Sequence, residues 1–394
     1  MLWDPRAHEP IAAASWDADA VRAAIRTIAA EADAALRPRD GWPLHPLDDD
    51  GATPTALHGI YLGAAGTLWG LADLARAGRH EPGHDYAGLA RAALAGYRER
   101  PEFGGPRASL WMGEGGIALV AWLLDPAPDL ADRLEALVAA PEDDTLELMW
   151  GSPGLLAICD VLLARTGAPR WAAAWSALAA QLLERRSERV PGLWTQQLYG
   201  REQELLGPVH GLAGIAALLA RRPELLAADR LVPGVAAVLG ASAVREDGHA
   251  TWPPRFGGPL AGADGEIRTQ WCHGAPGMVA TLAGLPPAGD LDALLLAGGE
   301  LTWAAGPLRK GANLCHGTAG NGLALLALFA RTGDERWLER ARRFAMHAVA
   351  QVDAARTRFG RGRHALWTGD VGTAVYLAQC LDARAGTPAL DRWW

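Results

Sequence analysis

Apolar runs of near-helical length recur along this chain, and each begins at or just after a glycine. GTLWGLADLA starts at Gly66, GIAALLA at Gly214, and NGLALLALFA directly follows Gly320. These runs are apolar on almost every face, which predicts helices buried on both sides. A different kind of segment lies between them. After Gly333, Trp337, Ala341, Phe344 and Ala345 are spaced i, i+4, i+7 and i+8, with Glu335, Arg336, Glu339, Arg340, Arg342 and Arg343 between them. That spacing predicts an amphipathic helix with one buried stripe, and Asp334 is placed to cap it. The period-two alternation of a strand is weak throughout.

Each buried run is introduced by a G-x-x-G motif, which occurs seven times: Gly63/Gly66, Gly113/Gly116, Gly151/Gly154, Gly211/Gly214, Gly274/Gly277, Gly317/Gly320 and Gly369/Gly372. Successive first glycines are 50, 38, 60, 63, 43 and 52 residues apart, room for two helices and two loops per unit. Two units agree in detail. Arg-Thr-Gly begins eleven residues after Gly154 and after Gly320, and Trp171 and Trp337 each follow the same glycine by seventeen.

The period predicts a helix-pair repeat. Neither terminal unit has the polar face of a solenoid cap, so the units are expected to close on themselves. The expected fold is all-α, a double-layered α/α toroid of seven helix pairs forming one domain over residues 1–394. The glycines would turn the backbone sharply at the narrow end, where the positive ends of the inner helices converge on a hub.

Composition narrows the function classes. Hydrophobic residues make up 50% of the chain, enough for a large core, and Lys and Arg (37) are outnumbered by Asp and Glu (45), for a net charge of −8. That balance argues against nucleic-acid binding, which wants a basic face. The apolar runs are broken early, as by Asp160, whereas a membrane span needs about 20 apolar residues. The start, MLWDPRAHEP, has acids and prolines where a signal peptide is cationic and then apolar. The expected compartment is the cytoplasm. Of the four cysteines, Cys159 and Cys380 sit in apolar helical runs and read as buried packing.

Chemistry enters where positions before the glycines depart from small apolar residues. Cys272-His273 precedes Gly274 and Cys315-His316 precedes Gly317, so the fifth and sixth units carry the same pair in the same register. In a toroid those positions lie side by side at the hub. Two thiolates and an imidazole suit Zn²⁺, and three protein ligands leave a fourth position open, as in catalytic sites. His316 and His273 are both candidates for the imidazole. His210 precedes Gly211 in the same register, Glu147 stands four residues before Gly151, and Arg268 four before Cys272. All three are expected to face the same cavity, with a mutual Glu147–Arg268 ion pair as the structural alternative.

W-C-H-G-A-P-G at 271–277, C-H-G-T-A-G-N at 315–321 and G-P-V-H-G-L-A-G at 207–214 resemble motifs of the lanthionine synthetase C-like family, the lantibiotic cyclases and their eukaryotic relatives. The resemblance covers essentially the whole chain. It implies one zinc per chain on Cys272, Cys315 and His316, a catalytic histidine at His210, an acid at Glu147 and an arginine at Arg268. It also implies addition of a thiol, from a peptide cysteine or from glutathione, to a dehydroalanine or dehydrobutyrine, forming a thioether. In that scheme Arg268 stabilises the enolate and His210 protonates it, with His273 or Glu147 as the substitute acid. Glu147 and His273 stand where the bacterial cyclases carry aspartate and tyrosine, which favours glutathione-type addition.

Two other functions are weighed. A zinc-bearing peptide- or glutathione-binding protein without turnover would have no need of His210, Arg268 and Glu147 together. A glycosidase-like barrel would need a carboxylate pair at the hub, for which only Glu147 and Asp370 are placed.

Overall fold

In the computed structural model, which describes residues 1–37, 41–49, 51, 57–140, 145–226 and 231–394, the two kinds of segment become two concentric layers of helix. Among the described residues these are α1 (Ala18–Ala35), α2 (Ala64–Arg76), α3 (Tyr86–Glu99), α4 (Glu114–Leu124), α5 (Pro128–Val138), α6 (Leu155–Thr166), α7 (Pro169–Glu184), α8 (Leu212–Leu219), α9 (Leu231–Ser242), α10 (Ala275–Leu282), α11 (Leu291–Ala305), α12 (Thr318–Thr332), α13 (Glu335–Phe359) and α14 (Asp370–Asp382). Even-numbered helices form the inner layer and odd-numbered ones the outer. Each inner helix packs on the next, and α14 returns to α2, so the ring closes. The first outer helix, α1, packs on the last inner helix, α14.

Burial follows the sequence pattern. Every residue of α4 from Glu114 to Trp122 is buried. The outer helix α13 buries Trp337, Ala341, Phe344 and Ala345, and the Asp334 side chain accepts from Arg336 N at its start. Trp69, Trp111, Trp171, Trp175, Trp194, Trp252, Trp271, Trp337 and Trp367 are fully buried. Each such ring removes about 150–250 Å² from water, so apolar burial is a large part of what holds the ring together. Cys159 and Cys380 are buried, and burial pushes both thiols up to about 12.

The second glycine of each motif has a steric cause. A Cβ at Gly277 would stand 1.7 Å from the Trp271 carbonyl oxygen, and one at Gly320 1.8 Å from that of Leu314. Only hydrogen fits where the inner helix turns back over its own leading loop.

Two short hairpins interrupt the helical pattern, β1 (Gln196–Leu198) with β2 (Arg201–Gln203), and β3 (Val244–Glu246) with β4 (His249–Thr251). Among the described residues no helix is long and apolar enough to cross a membrane.

Candidate active site at the hub

The loops that lead into the inner helices are stitched together by main-chain hydrogen bonds. Cys272 N donates to Cys315 O (3.1 Å), Cys315 N to Trp367 O (2.9 Å), Trp367 N to Tyr61 O (3.3 Å) and Tyr61 N to Trp111 O (3.2 Å). These five residues each stand two before the first glycine of their unit, so equal register does place them side by side. Trp111, Trp271 and Trp367 stack beneath as an apolar floor, with ring centroids 4.4 to 5.9 Å apart.

The stitching brings the two thiols together. A mutual hydrogen bond pulls Cys272 below the ordinary thiol value, and the same contact, with burial, pushes Cys315 well up. Tyr61 Oη donates to Cys315 Sγ and Gln270 Nε2 to Cys272 Sγ, each at 3.0 Å. Both contacts favour negative charge on sulfur, as do the nearby N-termini of α10 and α12.

One residue closer to the glycine, the seven units contribute Leu62, Met112, Trp150, His210, His273, His316 and Thr368. The hub therefore has an apolar side and an imidazole side. His210 Nδ1 lies 2.6 Å from Glu147 Oε2. Glu147 is fully buried and also accepts from the main-chain N–H groups of Met149 and Trp150. An ionised carboxylate only accepts, so Nδ1 carries a proton and Nε2 is left for chemistry. Burial lowers His273 and His316 to about 4, with the neighbouring His210 and Arg268 adding to the effect on His273.

Arg268 does not pair with Glu147. Its guanidinium binds Asp264, at the edge of the hub and partly open to solvent. The loops thus bring Cys272 beside Cys315 and His210 against Glu147, with His210 and Arg268 near His273.

The donor set of two neighbouring thiols and two neutral imidazoles is the chemistry zinc takes, and the buried Nδ1 of His273 has no hydrogen-bond partner. As positioned, no group of three His, Cys, Asp or Glu side chains among the described residues is close enough to hold a metal ion. Among the described residues, His316 is fixed through its main-chain N–H, which donates to Asn313 Oδ1 at 3.0 Å.

The sequence reading does not single out Tyr61, Gln270 or Lys310. Lys310 Nζ binds Glu266 (2.8 Å) and reaches Gln270 Oε1 (3.4 Å), and so supports the Gln270–Cys272 contact. The register itself carries the signal. Tyr61 occupies the cysteine position of its unit, and Gln270 and Asn313 occupy the position that Glu147 holds in another.

Beside Asn313 and Thr368 opens a cavity of about 270 Å³ whose walls include the cations Arg309, Lys310, Arg358, Arg361 and Arg363 and the acids Glu9 and Asp370. Arg363 pairs with Asp48. Arg309 and Arg361 instead donate to main-chain carbonyls, of His8 and Leu44, and with Arg358 they have no carboxylate partner among the described residues.

Residues 54–386 match the family model described as lanthionine synthetase C-like protein. The chain is 30% identical over 203 residues to "Glutathione S-transferase LANCL1" of Danio rerio, covering 48% of this chain and 46% of that protein. It is 32% identical over 145 residues to "LanC-like protein GCL1" of Arabidopsis thaliana, covering 36% of this chain and 32% of that one. The matched parts thus span less than half the length of these relatives. The solved structure of "Nisin cyclase" superposes with a TM-score of 0.60 at 13% identity, over 92% of this chain and 94% of that chain, and shares the toroidal fold.

Proposed function

The chain belongs to the lanthionine synthetase C-like family, and we propose that it is a zinc-dependent enzyme that adds a thiol to a dehydroalanine or dehydrobutyrine residue, forming a thioether. The observation that carries this reading is the meeting of two cysteine thiols in the same hub as a histidine held by a buried glutamate. Cys272, Cys315 and His316 would hold the ion. Zinc, when bound there, supplies acidification of a substrate thiol near neutral pH.

The protein groups handle the rest. The thiolate sulfur forms a bond to the β-carbon of the dehydro residue, and the π electrons move toward the α-carbon and its amide oxygen. Arg268 stabilises that developing charge. His210 delivers a proton to the α-carbon from Nε2, so the proton lost by the thiol is balanced by the one gained by carbon. Glu147 keeps His210 in the required tautomer and orientation and stabilises its cationic form. His273, next to Cys272, is the second candidate acid and would first have to gain a proton, since burial holds it neutral.

The cation-rich cavity beside Asn313 and Thr368 favours a thiol donor with carboxylates, as glutathione has, and the word glutathione stands in the name of one relative. The acceptor is a peptide bearing the dehydro residue. All four cysteines are free thiols, in keeping with a reducing, cytoplasmic setting. A binding protein without turnover would have no use for a proton donor oriented by Glu147.

Metal analysis tests the ligand set. One zinc per chain is expected in the purified protein and in Cys159→Ala, and its loss in Cys272→Ala and Cys315→Ala. Full zinc occupancy in Cys315→Ala would overturn the assignment.

A further inference from the structure

The apolar side of the hub mouth holds a group of residues that the proposed chemistry does not use. Trp150 directly precedes Gly151, in the register of His210. Its indole Nε1 donates to Tyr199 Oη at 3.3 Å. The Tyr199 ring meets His210 edge-on, with centroids 6.0 Å apart. Phe103 meets Trp150 edge-on at 5.6 Å, and the Arg107 guanidinium lies over the Trp150 ring at 5.4 Å. Together they form a ledge leading to the proton-carrying histidine.

Three observations set this ledge apart from ordinary packing. Tyr199 is 70% exposed, one of the few large hydrophobic side chains left in solvent. It is held at the tip of the β1–β2 hairpin at φ 53, followed by Gly200 at φ 71. Two-residue turns with positive φ at both positions favour Asn or Asp before Gly, and an aromatic residue there costs stability. Phe103 (φ 48) and Leu146 (φ 46) share the left-handed conformation, so three of the six such non-glycine residues described surround Glu147, Trp150 and His210. Strain kept at one place in a fold points to use. Finally, Arg107 has no carboxylate partner among the described residues, and its buried Nε makes no hydrogen bond.

We propose that Phe103, Arg107, Trp150 and Tyr199 form the subsite for the acceptor peptide, gripping an aromatic side chain next to the dehydro residue and an acidic side chain nearby. The inference rests on the thiol-addition reading and deepens it. The two substrates then approach from opposite sides, the thiol donor from the basic cavity and the peptide over the aromatic ledge, and they meet between Cys272 and His210. Tyr199 and Trp150 stack on the peptide's aromatic ring, and Arg107 pairs with its carboxylate. Tyr199 is exposed because its partner surface is the substrate.

The test uses a fluorescently labelled peptide with alanine in place of the dehydro residue, flanked by Phe and Glu, so that binding is read without turnover. Tyr199→Asn installs the residue the turn prefers. The Kd is expected to weaken about ten-fold, the scale of one aromatic stacking contact, while the melting temperature holds or rises. Trp150→Ala is expected to weaken binding at least as much, and replacing the peptide's Phe by Ala should weaken binding to the wild type but not to Tyr199→Asn. A Kd within two-fold of wild type in both variants would overturn the ledge, as would loss of binding only together with loss of stability. If the wild type binds the peptide but forms no thioether with its dehydroalanine counterpart, the subsite stands and the proposed reaction falls.

Discussion

Among the described residues, two histidines are held by buried glutamates, and they stand at different places in the repeat. His210 Nδ1 lies 2.6 Å from Glu147, and His58 Nδ1 lies 2.8 Å from Glu102. Each carboxylate also takes main-chain N–H groups, of Met149 and Trp150 in one case and of His58 itself in the other. The side chains are almost equally buried, 16% and 0% exposed in the first pair, 14% and 3% in the second. What differs is their place in the repeat. His210 stands one residue before its glycine, among the hub imidazoles and beside the thiols. His58 stands five before Gly63, and its Nε2 faces the α3 backbone, where a Cβ added at Gly96 would be 2.6 Å away. An imidazole oriented by a buried glutamate thus occurs at two places in this chain's described residues. Under the proposed chemistry, position in the repeat decides whether such an imidazole braces the fold or carries a proton.

Mutation separates the two roles. His210→Ala is expected to lower thioether formation about 10²–10⁴-fold, the usual share of a general acid, with zinc content and melting temperature near wild type. A fall in zinc content that tracks the rate would make His210 a ligand instead. Glu147→Gln is expected to cost about 10–100-fold in rate, the usual penalty for losing an orienting partner. The opposite signature is expected at the second pair. His58→Ala leaves the buried Glu102 carboxylate short of a partner and should cost about 1–3 kcal/mol of stability, read by denaturant unfolding, with kcat within two-fold. A large kcat loss in that variant would erase the distinction between the pairs. Gly96→Ala gains helix propensity but drives a methyl group into the His58 ring, and the net effect should be a loss of about 1–2 kcal/mol.

Much of this was readable before any coordinates. The inner helices are apolar all round, and the G-x-x-G spacing is long enough to be counted, so the ring and its seven units follow from pattern and steric need. The convergence of Cys272 with Cys315 is expected from equal register, and Cys272 N donates to Cys315 O between the two loops. The partners of the charged residues were not readable. Glu147 and Arg268 stand at related positions but bind His210 and Asp264, because side-chain pairing depends on rotamer and loop path rather than register. The His58–Glu102 pair escaped notice for the same reason, and because neither residue stands in the short motif before a glycine. Tyr199 lies in a hairpin inserted within the 60-residue third spacing, outside the repeat. The basic cavity is built from segments far apart in the chain, which no local motif could reveal.

The proposed chemistry is tested most directly by intact-mass analysis of a dehydroalanine peptide incubated with glutathione and the protein, before chelation, after chelation and after zinc is returned. Adduct formation is expected with the zinc-loaded protein, to stop on chelation and to resume with zinc, while the melting temperature changes little because apolar burial holds the ring. Adduct formation at an equal rate in the zinc-free protein, or none in the zinc-loaded protein, would contradict it.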